Sequence, residues 1–252
     1  MTTITTSENK KIYFASDQHL GAPSPEASLP REKKFVTWLD TIKEDAGTIF
    51  LLGDLFDFWF EYKTVVPRGF VRVLGKLAEL KDAGITIYFF VGNHDLWMRD
   101  YFQKELNIPV FHEPQEFEIN EKLFLIGHGD GLGPGDHGYK RMKKVFTFPF
   151  FKWLFRWLHP DIGVRLGHYF SVKNKLISGD EDARFLGEEN EWLVQYSRKK
   201  LIEKHYDFFI FGHRHLPLEI NLNNDSTYIN LGDWIQYFTY GEFMKTFKFK
   251  KF

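Results

Sequence analysis

The sequence predicts a layered α/β fold, and three observations lead there. Short apolar runs rich in β-branched and aromatic residues recur along the chain, helically spaced segments separate the early ones, and five polar motifs fall mostly where the runs end. A chain of 252 residues has the length of a single domain, here 1–252, with room for an insertion. The first predicted strand is 11–15 (KIYFA), followed by a helix over 31–45 with Phe35, Trp38, Leu39 and Ile42 on one face. A strand at 48–52 (TIFLL), a helix over 68–83 and a strand at 85–91 (ITIYFFV) follow. Runs this continuously apolar belong to strands buried on both faces. The second half is richer in strands, at 122–126, 207–211, 226–231 and 243–249, with Asn223-Asn224-Asp225 as a turn between two of them. A long helix over 181–204 is expected to lead back into the last core strands.

Composition excludes several classes. With 33 Lys and Arg against 34 Asp and Glu the net charge is −1, which argues against a uniformly basic nucleic-acid binder, and no nucleic-acid partner is expected. The chain has no cysteine, which removes disulfides, zinc–thiolate sites and cysteine nucleophiles together. Residues 1–11 are polar and lack the apolar core of a secretory signal, and no apolar run is long enough for a membrane-spanning helix.

The motifs carry the chemistry. They are Asp17-Gln18-His19, Gly53-Asp54-Leu55-Phe56-Asp57, Gly92-Asn93-His94-Asp95, Gly127-His128-Gly129-Asp130 and Gly212-His213-Arg214-His215, and they hold five of the ten histidines. Loops from strand ends converge where ligands collect in layered α/β folds. Carboxylate, imidazole and amide oxygen together suit Mn²⁺, Fe²⁺ or Zn²⁺. Asp17, His19, Asp54, Asn93, His128, His213 and His215 supply seven donors. That is too many for one metal and suits two that share a carboxylate about 3.5–4 Å apart, a pair able to activate water and stabilise the leaving oxygen of a phosphoester.

The charge is unevenly spread. Residues 137–179 hold nine Lys or Arg and one acid, a local charge of +8 that leaves −9 on the rest. The same stretch contains Phe146, Phe148, Phe150, Phe151, Trp153, Leu154, Phe155, Trp157 and Leu158. A basic, aromatic helical piece has the composition of a segment that meets an anionic membrane surface, and its place after the fourth motif suits a lid beside the metals. A surface hairpin with solvated lysines, a core extension or a dimer contact are the plainer readings of the same stretch.

Taken together, the five motifs resemble those of the calcineurin-like metallophosphoesterase superfamily (D-x-H, G-D-x-x-D, G-N-H-D, G-H, G-H-x-H) from about Lys11 to Trp234. The resemblance implies a two-layer mixed β-sandwich flanked by helices, with two divalent cations at the strand ends, Mn²⁺ foremost. It places Asp17, His19 and His215 on the first metal, Asp54 between the two, and Asn93, His128 and His213 on the second. His94 would hydrogen-bond the phosphate or protonate the leaving group, Asp95 would orient its imidazole, and Asp57 would support a ligand from behind. Within the superfamily the chain is similar to the UDP-2,3-diacylglucosamine hydrolase branch of lipid A synthesis. The similarity lies in Gly53 to Asp57, in His128-Gly129-Asp130-Gly131-Leu132 with Asp136 and Tyr139, in the insertion, and in Gly212 to Pro217 with Leu231-Gly232-Asp233-Trp234.

That branch cleaves a UDP-linked diacylated sugar to UMP and the acyl-sugar 1-phosphate at the cytoplasmic face of the inner membrane. The resemblance therefore implies a cytoplasmic protein peripheral on that membrane, with Asp136, Tyr139, Asn174 and Lys175 near the substrate. The best-known members carry Arg where this chain has His94, and a permanent cation does not substitute for a titrating imidazole. This leaves two readings, a histidine-bearing member of that branch or a relative acting on a soluble nucleotide or other phosphoester. A binding scaffold that has lost catalysis fits less well, because it has no need of all seven donors.

Overall fold

The computed structural model of the chain describes residues 1–135, 137–178 and 184–252, with 172–178 described as backbone alone. Alternation of side chains along each strand sets the architecture. In β2 (Lys11–Ala15) and β3 (Ala46–Leu52), Ile12, Phe14, Phe50 and Leu52 face one way, while Tyr13, Ala15, Ile49 and Leu51 face the other. Both sets are buried, which is why these strands read as unbroken apolar runs.

Two six-stranded mixed sheets result. One runs β12-β11-β2-β3-β4-β5, with β4 (Thr86–Phe90), β5 (Val110–Phe111), β11 (Thr239–Phe243) and β12 (Phe247–Lys251). The other runs β1-β6-β7-β8-β10-β9, with β1 (Thr2–Ile4), β6 (Gln115–Ile119), β7 (Lys122–Ile126), β8 (Phe208–Phe211), β9 (Pro217–Asn221) and β10 (Thr227–Leu231). Strands β2, β3 and β4 are parallel, and so are β7, β8 and β10, so each trio delivers its C-terminal ends to one edge. Much of the phenylalanine lies between the sheets. Phe14 stacks on Phe50 at 5.1 Å, Phe50 meets Phe117 edge-on at 4.9 Å, and Phe124 meets Phe243 edge-on at 5.0 Å.

Helices cover the outer faces. α1 (Pro25–Ile42), α2 (Val71–Asp82) and α3 (Tyr101–Leu106) pack on the first sheet through Phe35, Trp38, Leu77 and Phe102. α7 (Trp192–Glu203) packs on the second through Leu193 and Val194. Three further helices, α4 (His137–Thr147), α5 (Pro149–Arg156) and α6 (Pro160–Ser178), occupy the basic aromatic stretch.

The sequence reading needs correction in three places. α1 starts at Pro25, six residues before its predicted start, because Ser24 caps it by accepting from the Ala27 N–H at 3.2 Å and Pro25 takes the first helical position. The predicted strand 243–249 is instead a hairpin, with Gly241 opposite Phe249 and no glycine or proline at the bend to announce it. The predicted helix 181–204 is shorter at its start. Residues 181–183 lie outside the described residues, 184–191 are not helical, and helix begins at Trp192 after Gly187 at φ +88°. Because Phe50 is fully buried between the sheets, Phe50→Ala should destabilise the protein by about 3–5 kcal/mol. Urea denaturation measures this as a lowered midpoint with an unchanged slope.

Candidate metal centre

All five motifs sit just beyond C-terminal strand ends: Asp17 and His19 after β2, Asp54 after β3, Asn93 after β4, His128 after β7, and His213 and His215 after β8. Backbone bonds continue the sheet into these loops, from Asp17 N–H to Gly53 O (3.1 Å), His19 N–H to Asp54 O (2.8 Å) and Gly212 N–H to His128 O (2.9 Å). The loops are strained. Asp17, His19, Asp54, His213 and His215 all have positive φ, between 45° and 70°, a region that side-chain-bearing residues rarely enter and that costs about 1–3 kcal/mol each. Glycine is required at two close approaches. A Cβ on Gly53 (φ +86°) would lie 2.7 Å from His128 Nδ1, and one on Gly92 would collide with the Asp54 carboxylate.

The predicted donors converge. Asp17 Oδ2 accepts from the His213 N–H at 2.9 Å, while Oδ1, fully buried, has no hydrogen-bond partner and lies 3.2 Å from His215 Nε2 and 3.8 Å from His19 Nε2. Asp54 Oδ1 accepts from the His94 N–H at 2.8 Å, so Oδ2 is the oxygen turned inward, 3.6 Å from His19 Nε2 and 3.4 Å from His128 Nε2. Asn93 Oδ1 lies 3.2 Å from His128 Nε2 and 2.9 Å from His213 Nδ1.

Hydrogen bonding on the outer ring nitrogens assigns the tautomers. His19 Nδ1 faces Asp57 Oδ1 (3.3 Å), His215 Nδ1 faces Asp233 Oδ2 (3.4 Å), and His128 Nδ1 faces Leu52 O (2.7 Å). Each acceptor favours a proton on Nδ1 and turns Nε2 inward as the nitrogen suited to a metal. The Nε2 atoms of His19 and His215 then face each other at 3.1 Å, an arrangement of two lone pairs that a cation between them makes favourable.

Carboxylates and imidazoles gathered in this way fit a divalent metal. Asp17, His19, Asp54 and His215 form one group whose ligand atoms all lie within 4.8 Å of one another. Next to it, a chain of contacts runs from Asp54 Oδ2 to His128 Nε2 (3.4 Å), on to Asn93 Oδ1 (3.2 Å) and then to His213 Nδ1 (2.9 Å). A pair of such metals, when bound, lowers the pKa of a water and polarises a phosphoryl group.

The electrostatics of the cluster favour a bound cation. Burial disfavours a charged His128, but the adjacent Asp54 carboxylate, helped by Asp17 and Asp130, overrides it and pushes the imidazole up to about 10. Burial also works against the Asp17 and Asp54 carboxylates, yet the surrounding imidazoles hold both well below the usual carboxylate range.

The other predicted residues divide. His94 lies at the edge of the cluster, its ring 4.7 Å from that of His19, and its Nδ1 is 2.9 Å from Asp57 O and 3.0 Å from Ser171 Oγ. Asp95 does not orient His94 as expected. Its carboxylate accepts from the Gly92 N–H (2.6 Å) and the Leu55 N–H (3.0 Å), so it shapes the loop under Asp54, and burial beside Asp54 pushes it up to about 8. The orienting contacts come from Asp57 and Ser171. Asp57 does stand behind a predicted ligand, His19. The Tyr139 hydroxyl donates to Asp130 Oδ2 at 2.5 Å, with Lys143 2.7 Å from the same oxygen. Asp136 lies outside the described residues, as do the side chains of Asn174 and Lys175, whose backbone is part of α6.

Two site residues escaped the sequence reading. Asp233, after β10, had a signal in its Gly232-Asp233-Trp234 context, whereas Ser171 had none beyond its place in the insertion.

A buried Asp/His donor cluster at the strand edge of a two-sheet sandwich defines a metal-dependent phosphoesterase class. The calcineurin-like phosphoesterase family model matches residues 10–217, and the chain belongs to that family and is a metal-dependent hydrolase. It is 39% identical over 244 residues to UDP-2,3-diacylglucosamine hydrolase of Porphyromonas gingivalis, covering 91% of this chain and 92% of that one. It is 28% identical over 229 residues to the protein of the same name from Haemophilus influenzae, covering 89% and 91%.

Asp54→Ala should take metal content from two ions to at most one, measured by mass spectrometry of the desalted protein, and retention of both would refute the shared carboxylate. Since His128 binds a metal only when its Nε2 is unprotonated and sits near 10 without one, metal binding at pH 7.5 should release a proton and weaken as pH falls. Titration calorimetry in buffers of different ionisation enthalpy reads that release, and buffer-independent heats would contradict it.

Proposed function

We propose that this protein uses two Mn²⁺ ions to hydrolyse the pyrophosphate bond of a UDP-2,3-diacylglucosamine-type substrate, giving UMP and the acyl-sugar 1-phosphate, at an anionic membrane surface. The observation that carries the reading is the likeness, over nearly the whole chain, to the Porphyromonas protein named for that substrate. Asp17, His19, Asp54 and His215 would hold one ion, and Asp54, Asn93, His128 and His213 would hold the other. His94, beside the cluster, donates a hydrogen bond to the phosphoryl oxygen or the leaving phosphate.

The helical insertion supports a lipid substrate through its two faces. Its inner face meets the core beside the site. Phe155 packs against Phe60 and Trp97, each at 4.7 Å, and the Trp97 indole donates to Phe146 O at 2.8 Å. Its outer face exposes Phe148, Phe150, Phe151, Trp153, Leu154 and Trp157, the last 73% exposed, among lysines and arginines. An aromatic, basic face of this kind suits insertion among anionic headgroups, with acyl chains sheltered along it. Among the described residues no helix is long and apolar enough to cross a membrane, so association through this face is the form of contact proposed.

A second reading, hydrolysis of a soluble phosphodiester, rests on His94, an imidazole at the position where the best-known members of the UDP-2,3-diacylglucosamine hydrolase branch carry arginine. The deciding experiment follows ³¹P signals of UDP-diacylglucosamine and of simple phosphodiesters incubated with the Mn²⁺-loaded protein. UMP and a sugar 1-phosphate should appear from the first much faster than product from the others, and the reverse order would favour the second reading. Truncating Phe150, Trp153 and Trp157 to alanine together should raise KM for the diacylated substrate and spare a water-soluble phosphodiester. Equal losses on both would make the aromatic face structural.

A further inference from the structure

We propose that Ser171, on insertion helix α6, is a positioning residue for His94, so that docking of the insertion onto the core completes the orientation of the imidazole that meets the phosphate. The proposal rests on the role given to His94 above. Ser171 is 8% exposed, and its Oγ lies 2.6 Å from Asp57 Oδ2 and 3.0 Å from His94 Nδ1. A hydroxyl has one proton, and the Asp57 carboxylate can only accept. The serine therefore donates to Asp57 and presents a lone pair to His94, which must carry its proton on Nδ1. Asp57 O, 2.9 Å from the same nitrogen, requires the same tautomer. Both contacts leave Nε2 as the nitrogen suited to a phosphoryl oxygen or leaving group.

The carboxylate reaches this ring through the hydroxyl. His94 Nδ1 is 3.7 Å from Asp57 Oδ1, beyond hydrogen-bond reach, and that oxygen faces His19 Nδ1 at 3.3 Å. One buried carboxylate thus braces a metal-ligand imidazole directly and His94 by way of Ser171.

Helix α6 comes close enough because of its own sequence. Gly163 and Gly167 precede Ser171 at four-residue steps on one face. A Cβ on Gly163 would strike the Tyr62 hydroxyl, and one on Gly167 would enter the Phe58 ring. Both aromatic residues belong to the loop that follows Asp57. On the same helix Ile162, Tyr169 and Phe170 are exposed, so the element that touches His94 also carries part of the apolar outer surface. The insertion then enters the chemistry as well as substrate capture.

The test is a cycle of Ser171→Ala, His94→Ala and the double variant in the full-length, Mn²⁺-loaded protein. It is assayed on a chromogenic phosphodiester, so that the outcome is independent of the sugar-nucleotide reading. Ser171→Ala should lower kcat about tenfold, the loss of one hydrogen bond to a reacting group, with KM within about twofold and metal content unchanged. On the His94→Ala background it should change kcat by less than about twofold. A rise in KM with kcat intact, or additive losses in the double variant, would overturn the proposal, and such additivity also exposes any general unfolding. If His94→Ala alone leaves kcat unchanged, the role of His94 fails and this inference with it, whereas a loss in His94→Ala without one in Ser171→Ala sinks the inference alone. Independently of activity, the His94 Nδ1 proton in metal-free protein, followed by ¹⁵N-histidine NMR, should exchange with water faster in Ser171→Ala than in the wild type. An unchanged rate would count against the contact.

Discussion

Two buried carboxylates, Asp17 and Asp54, crowded within 4.8 Å of the His19 and His215 imidazoles and with His128 3.4 Å from Asp54, are the constraint on which the rest of this molecule depends. Isolated, such groups would be among the most costly a protein interior can hold. They are tolerable because cations, or protons in their place, neutralise them. The scaffold also yields where they require it, since five of the seven donors sit on positive-φ backbone. That strain is borne by two rigid sheets whose Phe-rich interface leaves little freedom to relax, and by glycines where loop meets loop. The same logic extends outward, with Asp57, Asp233 and the Leu52 carbonyl facing Nδ1 of His19, His215 and His128 and so turning Nε2 of each inward.

Beside this centre, the basic aromatic helices α4 to α6 present two unlike faces. Their inner contacts combine aromatic packing of Phe155 on Phe60 and Trp97 with specific polar contacts, Tyr139 and Lys143 on Asp130, Trp97 on the Phe146 carbonyl and Ser171 on Asp57. Their outer surface exposes aromatic and aliphatic side chains, the feature on which the proposed lipid contact rests. A catalytic site tied to the first face and a hydrocarbon-compatible second face belong together in an enzyme of the lipid–water boundary. For this chain, that union is what distinguishes the proposed reaction from hydrolysis of a soluble ester by the same metals.

Much of the site was legible before any coordinates. Apolar strands end in motifs whose residue types have few uses besides metal and phosphate chemistry, and period-two alternation with both phases apolar announced buried sheets. The reading failed where no local pattern exists. Asp95 looks like a partner for its neighbour His94, yet its carboxylate turns to backbone amides beneath Asp54. The start of α7 is displaced because Gly187 interrupts the helix and Glu191 is drawn to Arg214, 23 residues away. The hairpin of β11 and β12 lacks the turn residues that mark most hairpins.

By itself, then, the order of residues determined the strands, the donor inventory and the unlike character of the insertion, because periodicity and side-chain chemistry are local properties. Tertiary structure alone decided which oxygen of Asp54 faces both donor groups, which nitrogen of each histidine looks inward, and that a serine on a distant helix closes on His94. Those are outcomes of packing between segments more than a hundred residues apart in some cases, and no spacing along the chain encodes the distance at which two such segments meet.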